Sequence, residues 1–209
     1  MNLPDKPIIY LDKSVDNIID FRLKYKIEIN QFKTPLTGYK NKDIKFILDN
    51  GAYSGYPSDK FYDYVEKYIK EPFCQYIVIP DEPFDHKKTV LMFDEFLDCV
   101  SIPKNKRAFV AQNGSTYENI PFDEFECLFI GGDNSFKDHT ALKIAENLDY
   151  KKWVHVGRLN TPSRLTKWFN LCHSFDGSGI SRFGSMLEKI ISTHKNLSRY
   201  NQKTLGDYI

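Results

Sequence analysis

Two aspartates stand where apolar stretches end and glycine follows within two positions: Asp49 in ILDNGAY and Asp176 in SFDGSG. Glycine lets a ligand approach closely, and a carboxylate at the rim of an apolar interior can be tuned as a nucleophile or as an acid and base. Aspartate also caps helices and forms turns, so a local structural role competes for each. A third acidic end, Asp81–Glu82 before Pro83, has no neighbouring histidines to make a zinc site. It suits acceptance of N–H groups from a ligand, or capping of its own loop. Gln112 in VAQNG offers one acceptor and two donors, and Gly131–Gly132 in FIGGDN can present backbone N–H groups to a carbonyl oxygen. Together they describe a planar, amide-rich ligand such as a purine base.

Further along, His155, Gly157 and Arg158 close another apolar run in HVGRLN, with the histidine facing either inward or outward. Arg158, Arg164, Lys167 and Arg182 fall on loops or first helical turns at the same end, where they suit the phosphates of a substrate strand. A solvated helix face accounts equally well for the last three. The GDN and GSG pieces match neither the dinucleotide nor the P-loop fingerprint.

These residues need elements to position them. Short runs rich in β-branched and aromatic residues alternate with stretches of helical period, the signature of repeated βα units. Seven such runs are legible, at 8–11, 44–48, 76–79, 108–111, 127–130, 153–156 and 173–175. Between them Val15/Ile18/Ile19, Phe61/Val65/Tyr68/Ile69, Val90/Phe93/Leu97/Val100, Ala141/Ile144/Ala145/Leu148 and Leu165/Trp168/Phe169 each place apolar side chains on one helix face. A last helix carries Phe183, Met186, Leu187, Ile190 and Ile191. An open doubly wound sheet concentrates its site at one switch point, whereas here successive strands all deliver polar or glycine-rich residues at their carboxyl ends. The prediction is therefore a single α/β domain over 1–209, a TIM-type (β/α) barrel. It is trimmed, since about 250 residues is typical of the complete fold, with seven clear strands and an eighth that is weak, missing or supplied by the tail. The polar segment Lys24 to Asp43, with Pro35 and Gly38, reads as an insertion near the mouth.

The chain has 209 residues, 41% of them hydrophobic and 27% charged, which excludes a disordered tail or a coiled coil. A formal charge of +1 argues against a general nucleic-acid coat and leaves room for a local basic patch. No apolar run approaches the roughly 20 residues that span a bilayer, and MNLPDKPIIY lacks the features of a signal peptide, so no membrane association and a cytoplasmic location are expected. Cys74, Cys99, Cys127 and Cys172 show no metal-binding spacing, so no metal site is expected, and three of them lie in or beside apolar runs as buried thiols do. Aromatic residues make up 15%, a bulky core with surfaces to spare for stacking.

The motifs, taken in order, resemble one family: the tRNA-guanine transglycosylases and, more closely, the 7-deazaguanine DNA transglycosylases of bacteria and phages. LDNGAYS resembles the strand end D-S-G-[GA]-[YF], IPDE the base-recognising aspartate motif, VAQNG the V-Q-G motif and FIGGDN the glycine pair. HVGR resembles the V-G strand, with the arginine of the DNA branch, and FDGSG the strand that carries the nucleophile. The resemblance spans roughly 44–179. The tRNA enzymes also carry a CxCxxC-plus-histidine zinc site after the last strands, which Cys172 to Ile209 does not match; this turns the implied substrate from tRNA to DNA.

The resemblance implies that Asp176 attacks the sugar C1′ and expels guanine to leave a covalent glycosyl-enzyme, while Asp49 handles the proton of the departing and arriving base. Asp81 would bind the ring N–H and exocyclic amine, Gln112 and the Gly131–Gly132 backbone the six-position oxygen, and Tyr53 would stack on the base. His155, Gly157 and Arg158 would complete the pocket. No cofactor is implied. The expected partners are DNA with an extruded or single-stranded guanine, a free 7-deazaguanine base, and an accessory protein that delivers the DNA. For a phage-encoded enzyme the address is the host cytoplasm. Three alternatives stand beside base exchange in DNA: exchange in tRNA, hydrolysis by a DNA or nucleoside N-glycosidase, and a non-catalytic deazaguanine- or nucleotide-binding protein.

Overall fold

A computed structural model of the chain describes residues 6–37, 43–149 and 151–206. Eight strands, β1 Ile8–Leu11, β2 Ile29–Lys33, β3 Phe46–Leu48, β4 Cys74–Val78, β5 Arg107–Ala111, β6 Cys127–Ile130, β7 Trp153–Val156 and β8 Ser174–Asp176, run parallel in sequence order and close into a barrel where β1 pairs with β8. Most strand residues are buried on both faces, as expected when helices cover the outside. Alternation then divides them. Tyr10, Phe32, Ile47, Val78, Val110, Cys127 and Phe129 fill the barrel interior, while Ile9, Leu11, Leu48, Phe109, Ala111, Leu128 and Ile130 pack outward against the helices.

The covering helices are α1 Val15–Tyr25, α2 Ser58–Tyr68, α3 His86–Cys99, α4 Asn134–Asp138, α5 Thr140–Asn147, α6 Pro162–Trp168, α7 Ser178–Arg182 and α8 Gly184–Gly206. Their starts are written locally. Ser14, Asp85, Asp133 and Thr161 each accept a backbone N–H of the first turn, and Pro162 occupies the first turn of α6, where its missing N–H costs nothing. Helix α8 packs on α6 and α7, and His194 on it donates from Nε2 to the Pro7 carbonyl at 2.8 Å, tying it to the entry of β1. Cys74, Cys127 and Cys172 are buried free thiols, and Cys99 is exposed.

The barrel is thus eight-stranded, and the missing strand is neither absent nor in the tail: α8 is helical, and β2 lies inside the segment expected to be an insertion. Pairing explains its polarity. Arg22 donates to the Asn30 side chain at 2.6 Å, Gln31 donates to the Lys13 carbonyl at 2.9 Å, and the Lys33 ammonium lies 4.8 Å from the centre of the Tyr68 ring. Polar side chains satisfied in this way are tolerated in a barrel wall. Gly38, read as part of the same insertion, lies outside the described residues, as do the first five residues of the amino-terminal stretch. No described helix is long and apolar enough to cross a membrane.

Candidate active site

Every strand feeds its carboxyl-terminal end into one mouth, and a cavity of about 420 Å³ opens there. Asp12, Thr34, Asp49, Asp81, Gln112, Gly131, Gly157 and Asp176 line it, each from the end of a different strand or the residues just after it. This is where barrel enzymes place their chemistry, because loop residues at that face vary freely while the strands hold them still.

One half of the cavity is an amide-carboxylate cluster. Asn50 Nδ2 donates to Asp81 Oδ1 at 2.6 Å and to the Ile79 carbonyl at 2.9 Å, while Gln112 Nε2 donates to Asp81 Oδ2, also at 2.6 Å. Gln112 Oε1 accepts from the backbone N–H groups of Gly132, at 2.6 Å, and Phe84, at 3.0 Å. All three side chains are buried. Burial pushes the Asp81 carboxyl up to about 6, against the pull of the two amide donors. Each Asp81 oxygen keeps a lone pair and Gln112 keeps one N–H, so the cluster can still receive a ring that offers both donors and an acceptor.

The two glycines play a different part from the one expected. Gly131 N–H donates to the Ala111 carbonyl in the barrel ladder and Gly132 N–H is taken by Gln112, so neither amide is free to meet a ligand oxygen. What glycine supplies at 132 is conformation: its φ is +72°, and a Cβ there would lie 2.5 Å from Phe136. Gly157 likewise serves packing, with its carbonyl accepting from Lys137 Nζ at 2.6 Å.

The central pair is Asp49 and Asp176. Asp49 Oδ2 accepts the Gly51 N–H, at 3.3 Å. Burial first, then the charges of Asp176 and Asp81, push its carboxyl up to about 8, so it holds a proton at neutral pH. Asp176 receives two donors instead: the Arg158 N–H reaches Oδ1 at 3.2 Å, and the His155 ring lies 3.0 Å from Oδ2. The site therefore sets an aspartate whose carboxyl is pushed up to about 8 with a second aspartate held by two hydrogen-bond partners, two carboxyl groups in different surroundings.

Arg158 and Tyr53 cover this pair. The guanidinium lies 3.9 Å from the Tyr53 ring centre and donates to the Gly132 carbonyl at 2.8 Å, and Phe84 meets Tyr53 edge to face with ring centres 6.3 Å apart. Tyr53 and Phe84 are exposed, so flat aromatic surface stands at the rim as stacking requires. Arg158 and Phe84 both adopt positive φ, 56° and 69°, and both line this cavity.

Three expected contacts are redrawn. His155 is fully buried inside the barrel beneath Asp176 and does not line the cavity, because alternation along β7 turns it inward; its Nε2 meets Asp176. Arg164 is engaged by Asp138, with Nε and Nη2 each 3.1 Å from its oxygens, and Lys167 lies 3.6 Å from the same carboxylate. These two cations therefore brace α4 against α6, whereas Arg158 and Arg182 do line the cavity.

The sequence reading passed over Asn50, Asp12 and Lys137. Asn50 directly follows Asp49, and Asp12 directly follows β1, so the rule that singled out the other strand ends also reaches them. Asp12 Oδ1 is buried without a hydrogen-bond partner, facing the half of the mouth that holds Thr37 and Arg182. Lys137 gave no such signal, lying within the short α4. It is buried, and burial together with the Arg158 charge brings its amine down to about 7. Among the described residues no group of three or more His, Cys, Asp or Glu side chains is placed to hold a metal ion.

Fold and site together define a (β/α)8 barrel with a carboxyl pair and an amide-carboxylate cluster at its carboxyl-terminal mouth. No protein-family model and no curated protein matches the sequence. Among solved structures, the chain is similar to a mutant of methylaspartate ammonia lyase from Clostridium tetanomorphum, at 14% identity and a TM-score of 0.56 over 100% of this chain and 60% of that one. It thus spans less than two thirds of that protein. A structure described as native KDPGal aligns at 13% identity and a TM-score of 0.52, over 97% of this chain and 98% of the other. These likenesses establish the barrel fold.

Proposed function

We propose that the protein is an enzyme that exchanges guanine in DNA for a 7-deazaguanine base, with retention at the sugar carbon. The observation that carries this reading is the placing of Asp49, whose carboxyl burial pushes up to about 8, with a doubly hydrogen-bonded Asp176, beside the Asn50–Asp81–Gln112 cluster. The resemblance of six ordered motifs to the guanine transglycosylases supports the same assignment.

In the first step an Asp176 oxygen attacks C1′ of an extruded nucleotide. The bond from C1′ to the base nitrogen breaks, its electron pair leaves with the base, and Asp49 gives that nitrogen its proton. In the second step the incoming base nitrogen attacks C1′, the bond to Asp176 breaks with its electron pair returning to the carboxylate, and Asp49 recovers a proton. Splitting one difficult substitution into two gives each oxocarbenium-like transition state a carboxylate partner. Extrusion is required because C1′ is shielded inside a stacked duplex. The Asn50–Asp81–Gln112 cluster holds the base by its edge, and Tyr53, once the Arg158 guanidinium yields its face, stacks on it.

The test is incorporation of labelled guanine or a labelled 7-deazaguanine into DNA. Wild type should exchange the base and Asp176→Ala should not; exchange that survives the substitution removes the assignment. Abasic sites in place of exchange would identify an N-glycosidase, and tight binding without turnover a binding protein.

A further inference from the structure

His155 occupies an unusual position for an ionisable ring. It is fully buried on β7 against Phe32, at 5.8 Å and an interplanar angle of 7°, and Phe129, at 4.8 Å and 26°, two rings that also touch each other, with the edge of Tyr10 at 5.6 Å. Both nitrogens are engaged: Nε2 lies 3.0 Å from Asp176 Oδ2, and Nδ1 lies 2.8 Å from Ser174 Oγ. Ser174 Oγ in turn accepts the indole N–H of Trp153 at 2.8 Å.

The direction of this chain follows from its fixed end. An indole nitrogen only donates, so it uses a lone pair of Ser174 Oγ and leaves the hydroxyl hydrogen to be placed elsewhere. Among the described residues, His155 Nδ1 is the remaining hydrogen-bond partner of that oxygen. A hydroxyl that donates to Nδ1 fixes the neutral tautomer with its hydrogen on Nε2, and that hydrogen points at Asp176 Oδ2.

We propose that Trp153, Ser174 and His155 form a positioning relay that dedicates the two oxygens of Asp176 to different tasks. His155 Nε2–H holds Oδ2 toward the barrel interior, so Oδ1 forms the bond to C1′. In the glycosyl-enzyme Oδ2 becomes the ester carbonyl, still hydrogen-bonded to His155. When the incoming base attacks and the C1′–Oδ1 bond breaks, the electron pair returns to a carboxylate whose developing charge this N–H stabilises. The relay therefore acts most on the second displacement. This catalytic half rests on the base-exchange reading; the tautomer does not.

Two measurements test it. Nitrogen-15 NMR of histidine-labelled protein should show the His155 Nε2–H tautomer in wild type and a mixed population in Ser174→Ala; an Nδ1–H ring in wild type overturns the relay. Intact-mass analysis during exchange should show His155→Phe accumulating the covalent adduct, with kcat lowered about 100-fold, as for loss of one preorganised donor, and KM for the DNA lowered as the adduct builds up. His155→Gln, which keeps an N–H donor, should recover part of the rate. Ser174→Ala should accumulate adduct to a lesser degree, and it serves the same purpose should His155→Phe not fold. Equal rate loss in Phe and Gln variants without adduct would reduce His155 to a packing residue. Should wild type exchange no base at all, the base-exchange reading falls and the tautomer spectrum decides the relay alone.

Discussion

Replacing Asp49 by asparagine should stabilise the fold while stopping the chemistry, by an amount that grows with pH. The folded protein holds the Asp49 proton up to about 8, whereas an unfolded aspartate releases it near its ordinary value of 3.8. Between those values the folded state binds one more proton than the unfolded state, so stability falls as pH rises. Each pH unit in that window costs at most about 1.4 kcal/mol, which from pH 5 to pH 8 sums to an upper bound of about 4 kcal/mol. Asp49 lines an open cavity and is screened by the water there, so about half of that, ~2 kcal/mol, is the realistic size. Asparagine keeps the shape and has no proton to lose. Urea denaturation of both proteins at pH 5, 6, 7 and 8 measures the effect as the gap between their midpoints, with equal slopes confirming a change in stability alone. The gap should widen steadily in favour of Asp49→Asn. A gap independent of pH would show that Asp49 ionises in the folded state as it does in water, and the acid role would fall with it.

Other outcomes follow from the same geometry. Asp81 must be ionised to accept from the base, and its carboxyl is pushed up to about 6, so exchange rate against pH should be a bell rising through about 6 and falling above about 8 as Asp49 loses its proton. Salt-dependent DNA binding should separate the cations: Arg182→Ala and Arg158→Ala each lower affinity and reduce the salt slope by about one, whereas Arg164→Ala, removed from an ion pair with Asp138, leaves both unchanged. Gly132→Ala forces a side chain into a left-handed backbone and against Phe136, and should lower stability by about 2 kcal/mol or more in thermal or urea unfolding.

Seven of the strands were legible because each is a short run of apolar, β-branched and aromatic residues set between helical periods. β2 was not, since INQFK satisfies its polar side chains through partners remote in sequence, Arg22 and Lys13 among them. Hydropathy records the type of a side chain and not its partner, so the strand passed for a polar insertion. The carboxylates of the mouth were readable for the opposite reason: Asp49, Asp81 and Asp176 interrupt apolar strands, where an acid without purpose is costly. Distances between elements decided the remainder. Nothing in HVGR tells that β7 turns His155 inward, and nothing in the α6 sequence tells that Asp138 on α4 has already claimed Arg164 and Lys167. The glycine pair was found in the right place with the wrong task, because whether a backbone N–H is free depends on Ala111 and Gln112.

The central claim is that Asp176 becomes covalently joined to a sugar carbon. Denaturing the enzyme with acid during turnover on a guanine-containing oligonucleotide, then digesting and mapping the peptides by mass, tests this directly. The account predicts a nucleotide adduct on the peptide that contains Asp176, absent from Asp176→Asn and lost on adding excess free base. Base exchange that proceeds with no adduct on that peptide, or with the adduct on another residue, would contradict it.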